Sequence, residues 1–180
     1  MTHRISASTG AAVVALFLVA GCASPDEFDG VLWQQMDAQK QPVFAAFDAT
    51  LELDRTTLLD DIVSDGGVFP GSYRDDDAGA LDLEARSGGV FLSRLVDGPD
   101  WASLDVLINS GPRNEAGDPL PGAEPYDGPP SVYTCFQAVV EFADDRVSAW
   151  VWDEDAECDP AVVAGLDDRA QFAPLYRFSG

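Results

Sequence analysis

Thirty-two carboxylates, three cysteines, one lysine, nine arginines and one histidine are the side chains with which this 180-residue chain could do acid, base or nucleophilic chemistry. Two carboxyl groups held at the right separation hydrolyse glycosidic bonds, one as acid and the other as base or nucleophile. With so many acids, close pairs arise from composition alone, and no aromatic-rich stretch surrounds any one pair. Clustered oxygens also bind calcium, and Asp75-Asp76-Asp77 or Asp153-Glu154-Asp155 could supply them. Neither fits the EF-hand loop. Started at Asp75, that loop has Ala80 where glycine is needed and Arg86 where the bidentate glutamate belongs; started at Asp153, it has Cys158 and Ala164 there. Solvated turns are the simpler reading of both runs, with weak divalent-cation binding the sharper one. No metal site and no cofactor are assigned. Lys40 stands in a polar stretch, Gln39-Lys40-Gln41, with no neighbour to make it a base.

The amino terminus carries a different kind of chemistry. Met1 to Ser8 is short and polar with Arg4 as its positive charge, and Ala11 to Ala20 contains no charge and no helix breaker, the pattern of a signal-peptide core. A bilayer-spanning helix needs about 20 apolar residues, and Pro25, Asp26 and Glu27 stop this run short of that. The run ends in Leu16-Phe17-Leu18-Val19-Ala20-Gly21-Cys22. This stretch resembles the lipobox of bacterial lipoproteins. The resemblance covers only the first 22 residues. It implies that residues 1–21 are a lipoprotein signal peptide, that Cys22 receives a diacylglycerol before cleavage, and that residues 22–180 form a single extracytoplasmic domain. Its first partner would be membrane lipid, held through acylated Cys22. Each buried methylene contributes about 0.8 kcal/mol, and two chains anchor stably where one is marginal. An ordinary secretory signal with a chance cysteine is the alternative, and it too exports the domain.

Cleavage before Cys22 has consequences for everything after it. His3 is lost, so histidine-based triads, histidine general bases and histidine-ligated zinc are unavailable. Lipidation of Cys22 leaves Cys135 and Cys158 only each other, in a compartment where disulfides persist. Their bond removes the last cysteine nucleophile, so no catalytic residue is assigned. Arg4 departs with no acid beside it, taking the formal charge from −22 to −23. Nucleic-acid binding needs clustered Lys and Arg, and Lys40 is the only lysine, which excludes it. An anionic bilayer repels such a body, so the domain is expected to stand off the membrane, and a charged partner is expected to be cationic.

The elements that must position these residues begin with a helical region. Ser24-Pro25-Asp26-Glu27 has the form of an N-cap with proline at the first helical position. Leu32, Met36, Val43, Phe47, Leu51, Leu58 and Ile62 then recur at helical spacing on one face. Pro42 is expected to kink or divide the helix. Asp54 or Thr56 caps a further piece that stops at Ser64-Asp65-Gly66-Gly67. From Val68 the period becomes alternating. Leu81, Leu83 and Ala85 predict a strand that turns at Ser87-Gly88-Gly89 into Val90 to Val96. Ala102, Leu104, Val106 and Ile108 predict one face of another strand; a short helix capped by Asp100, with Trp101, Leu104 and Ile108 inward, is the alternative. Gly111 to Pro130 holds six prolines and four glycines in twenty residues and reads as a long loop, either a spacer or a recognition segment, with Tyr126 its only aromatic.

Val132 to Phe142 and Val147 to Asp153 predict an antiparallel hairpin around Ala143-Asp144-Asp145-Arg146. With Asp144 and Asp145 at the tip, Phe142 faces Val147, Val140 faces Ala149 and Ala138 faces Val151, forming the core side. The opposite side carries Trp150 and Trp152 with Val139, Gln137, Glu141, Ser148 and Cys135. Asp159-Pro160 opens a helical turn ending at Gly165, and Leu175 to Phe178 is expected to add a final strand packed on the domain.

Together these readings predict an α+β domain, N-terminal amphipathic helices packed on an antiparallel β-sheet, with one disulfide between Cys135 and Cys158. The expected role is non-enzymatic: a membrane-anchored binding or interaction lipoprotein. Trp150, Trp152, Gln137 and Tyr126 form the candidate binding surface, suited to a cationic or aromatic-binding protein or a glycan. The competing expectation is that the N-terminal helices cover the two tryptophans. A carboxylate-based glycan hydrolase and a weak divalent-cation-binding surface protein are the alternative functions.

Overall fold

The sheet is built on Trp101–Asn109, a strand in which every residue from Ala102 onward is buried. Such burial on both faces marks a central strand, and it settles the choice between strand and helix for this segment. The computed structural model describes residues 30–64, 67–74, 88–113 and 126–178. The lipobox, the Asp75 run, the Leu81–Arg86 segment and most of the proline-rich loop lie outside them. The elements are α1 (Gly30–Ala49), α2 (Arg55–Val63), β1 (Ser72–Arg74), β2 (Gly89–Asp97), β3 (Trp101–Asn109), β4 (Val132–Ala143), β5 (Arg146–Asp153), α3 (Pro160–Val163), β6 (Gln171–Phe172) and a 3₁₀ turn, Leu175–Phe178. Four long antiparallel strands, β2-β3-β4-β5, carry short parallel additions, β1 beside β2 and β6 beside β4. The fold is α+β. Among the described residues no helix is long and apolar enough to cross a membrane.

Helix α1 buries Leu32, Met36, Val43 and Phe47 on the inner face of the sheet, and α2 adds Leu58 and Ile62. Pro42 does not divide α1. Its missing N–H costs one helical bond, but the proline is exposed, and buried residues on either side of it face the same core. Leu51 departs from the stripe and is 43% exposed. The helix has already ended at Ala49, and Glu52 at φ 76° turns the chain away from the helical path. Asp54 caps α2, its carboxylate accepting from the Thr57 backbone N–H at 2.9 Å and the Thr57 hydroxyl at 2.8 Å.

The hairpin forms where the sequence puts it, with Asp144 and Asp145 both at positive φ as a tight two-residue connection requires. Its register departs from the simple one. Phe142 does face Val147, but Val140 pairs with Trp150 and Ala138 with Trp152, because a bulge between Glu141 and Phe142 gives β5 one extra residue. A one-residue slip exchanges the two sides of a strand. Here it turns Trp150 and Trp152 inward and leaves Val151 outside. Two indoles bury far more apolar surface than the alanine and valine they displace, which favours the irregular register.

The outer side of the sheet is covered over part of its length. Cys135 and Cys158 are disulfide-bonded, with Cα atoms 5.5 Å apart at a sequence separation of 23. The bond holds Val162 and Leu166 against Leu107 and Cys135 in a second, smaller core. Asp159 caps α3, accepting from the Ala161 N–H at 2.9 Å, with Pro160 in the first turn. Leu175–Phe178 is a 3₁₀ turn and not a strand; it buries Leu175 and Phe178, a three-residue period that extended backbone does not provide.

Candidate functional site

Trp150 and Trp152 lie beneath α1. Their rings are parallel with centroids 6.0 Å apart, and Phe47 approaches them at 4.5 and 4.6 Å while Phe44 meets Trp152 at 5.1 Å. Trp150 also donates from Nε1 to the Thr50 hydroxyl at 3.0 Å. The pair is therefore half-buried against the core under α1, not the open recognition face expected of it. Gln137 sits on the opposite side of the sheet and donates to Asp105 Oδ1 at 3.3 Å. Tyr126 is half-buried, its hydroxyl donating to the Pro129 carbonyl at 3.0 Å with the Arg113 guanidinium 4.5 Å above its ring. The four residues do not converge, and Cys135 lies away from the tryptophans for the same reason of register.

What the register leaves outward is a different surface. Val96, Ser103, Val139 and Val151 stand in one row across four strands, and Trp101, Glu141 and Ala149 form the row next to it. Val96 and Val151 are each 50% exposed and Trp101 37%. Gly98 makes room for the indole of Trp101: a Cβ at this position would lie 2.4 Å from the ring. Three exposed apolar side chains on three of the four long strands, beside the exposed Glu141, make this uncovered half of the sheet the best-formed interaction surface among the described residues. Alternation alone placed Val139, Gln137 and Glu141 outward; Val96, Trp101 and Val151 were missed because strand order and the bulge are not written in it.

The buried carboxylate below that surface, Asp105, is already paired. Asp105 is 8% exposed, and both Nε and Nη2 of Arg94 donate to its Oδ2. Arg94 has φ 49° at an irregularity in β2, an uncommon backbone conformation for a residue with a side chain. With Gln137 on the other oxygen, the carboxylate is held and neutralised, which suits a structural role. Asp153 accepts from the Asp155 N–H at 3.1 Å, so this acidic run forms a local turn. Among the described residues no group of three or more His, Cys, Asp or Glu side chains is arranged to hold a metal ion. Lys40 donates to the Phe178 carbonyl and lies 3.9 Å from Asp37, joining α1 to the final turn. Beside that joint Trp33, Gln34, Asp37, Arg177 and Phe178 line a groove of about 290 Å³.

Compared with protein-family models, curated proteins and solved structures, the chain matches none of them.

Proposed function

We propose that the chain is a lipid-anchored, extracytoplasmic lipoprotein whose role is to bind a partner and not to catalyse a reaction. The observation that carries the reading is the cysteine assignment. Cys135 and Cys158 are bonded to each other, which leaves Cys22, at the end of the lipobox-like stretch, as the odd thiol. An internal disulfide also suits an oxidising compartment. The outward rows around Val96, Trp101 and Val151 are the candidate contact surface, and the formal charge of −22 favours a cationic partner.

Metabolic labelling with radioactive palmitate in a bacterial host, followed by membrane fractionation, tests the anchor. The wild-type chain is expected to incorporate label and sediment with membranes, and Cys22→Ala to lose both. Equal membrane association of the two chains, or absence of label from the wild type, overturns it.

A further inference from the structure

The last strand of the sheet has an open side. On its inner edge β5 pairs with β4 from Arg146 to Asp153. On its outer edge, among the described residues, only the first two residues are engaged: Arg146 bridges Asp54, and Val147 exchanges backbone bonds with Leu53 at 2.9 Å and Glu52 at 3.3 Å. From Ala149 to Asp153 no strand lies outside β5 among the described residues. Five residues of extended backbone span about 17 Å, enough to template an added strand.

We propose that this edge takes a basic polypeptide segment in extended conformation, paired to β5 as a further strand. Charge decides the occupant. Between Asp144 and Glu157 the chain carries Asp144, Asp145, Asp153, Glu154, Asp155 and Glu157, all exposed, against one base, Arg146. That guanidinium is occupied, donating to the Glu52 carbonyl from Nε at 3.0 Å and from Nη2 at 2.6 Å. Both ends of the open edge are therefore negative. A second copy would bring its own acidic ends against these, which disfavours self-pairing, whereas a lysine- or arginine-rich strand is drawn in. An added strand would also find side-chain neighbours on both sides, Ala149 and Val151 outside and the half-buried Trp150 and Trp152 within. Tryptophan faces attract cations.

The inference deepens the interaction reading and is independent of the lipid anchor. The test uses the full-length chain in detergent with two heptapeptide probes, Lys-Val-Lys-Val-Lys-Val-Lys and the same peptide with proline at its centre. The charge is identical, but proline cannot donate to the ladder. The first peptide is expected to bind, to slow amide exchange at residues 149–153, and to weaken as salt rises. Glu154→Lys/Asp155→Lys/Glu157→Lys, which spares the Asp153 turn bond, is expected to lower its affinity about tenfold with an unchanged melting temperature. Should the triple variant unfold, Val151→Lys, at an exposed position, gives the second arm and weakens binding likewise. Equal binding of the proline peptide, protection confined to other residues, or no binding at low salt overturns the proposal. A dimer with protected residues 149–153 and no peptide also overturns it, by identifying a second copy as the occupant. Binding by Cys22→Ala equal to wild type is expected, so failure here and failure of the palmitate test are separable.

Discussion

Trp150 Nε1 and Thr50 Oγ1 are 3.0 Å apart across one hundred residues of sequence, joining the residue just past α1 to the terminal strand of the sheet. Thr50 is fully buried, and its hydroxyl also donates to the Phe47 carbonyl at 2.7 Å. The hydroxyl thus fixes both the end of the helix and the indole below it.

Thr50→Val keeps the shape and removes the acceptor. The Trp150 N–H is then left without its partner, at a cost of about 1–2 kcal/mol. Urea denaturation followed by tryptophan fluorescence measures it, and an unchanged midpoint would mean that the bond contributes nothing net.

Phe47 is the centre of the aromatic packing, touching Phe44, Phe69, Trp150 and Trp152 with no exposed surface of its own. Phe47→Ala is expected to lose about 3–5 kcal/mol and to collapse the near-ultraviolet circular dichroism of the stacked indoles. A loss below 1 kcal/mol would contradict the packing described.

Removing the disulfide through Cys135→Ala/Cys158→Ala is expected to cost about 3 kcal/mol. The loss should be concentrated in the outer layer. Hydrogen exchange is expected to rise in the Val162 to Leu166 cover before it rises in β3, and uniform loss across the sheet would show that the bond does more than hold that cover.

Hydrogen bonds from the Thr57 backbone N–H, and then from the Thr57 hydroxyl, hold the Asp54 carboxyl below its ordinary value of 3.8. A carboxylate depressed in the folded state contributes stability that is complete above the unfolded value and is lost as pH falls through the folded one. Asp54→Asn retains a cap but does not titrate. The stability advantage of the wild type over this variant is therefore expected to be largest above about pH 4 and to shrink at lower pH. A difference that stays constant from pH 7 to pH 3 would remove this account.

Much of the fold was legible because local chemistry and packing agree. Asp54 and Asp159 cap the helices that their side chains announce, Asp144-Asp145 makes the turn, and Leu32 through Phe47 face inward at helical spacing. The failures share a cause in long-range packing. Nothing local to β5 specifies a bulge; it forms because α1 offers Phe44 and Phe47 as a bed for two indoles. The candidate surface inherited that error, since Trp150 and Trp152 exchange sides with Val151 when one residue is added. Leu51 failed for a related reason, a stripe extrapolated beyond the end of its helix.

The extra residue in β5 also bears on which changes of length the strand accepts. Val147 and Ala149 pair with Phe142 and Glu141, consecutive residues of β4, so Ser148 is the one that has no opposite number. A gene lacking the Ser148 codon would encode a strand in plain alternation, with Trp150 and Trp152 still turned toward α1. Loss of Ala149 is absorbed in the same way, Ser148 taking its place opposite Glu141, whereas loss of Val151 would make the two tryptophans consecutive and put them on opposite sides of the strand. Between Ser148 and Trp152, deletions at 148 or 149 are the ones that leave the inside and the outside of the protein where they are.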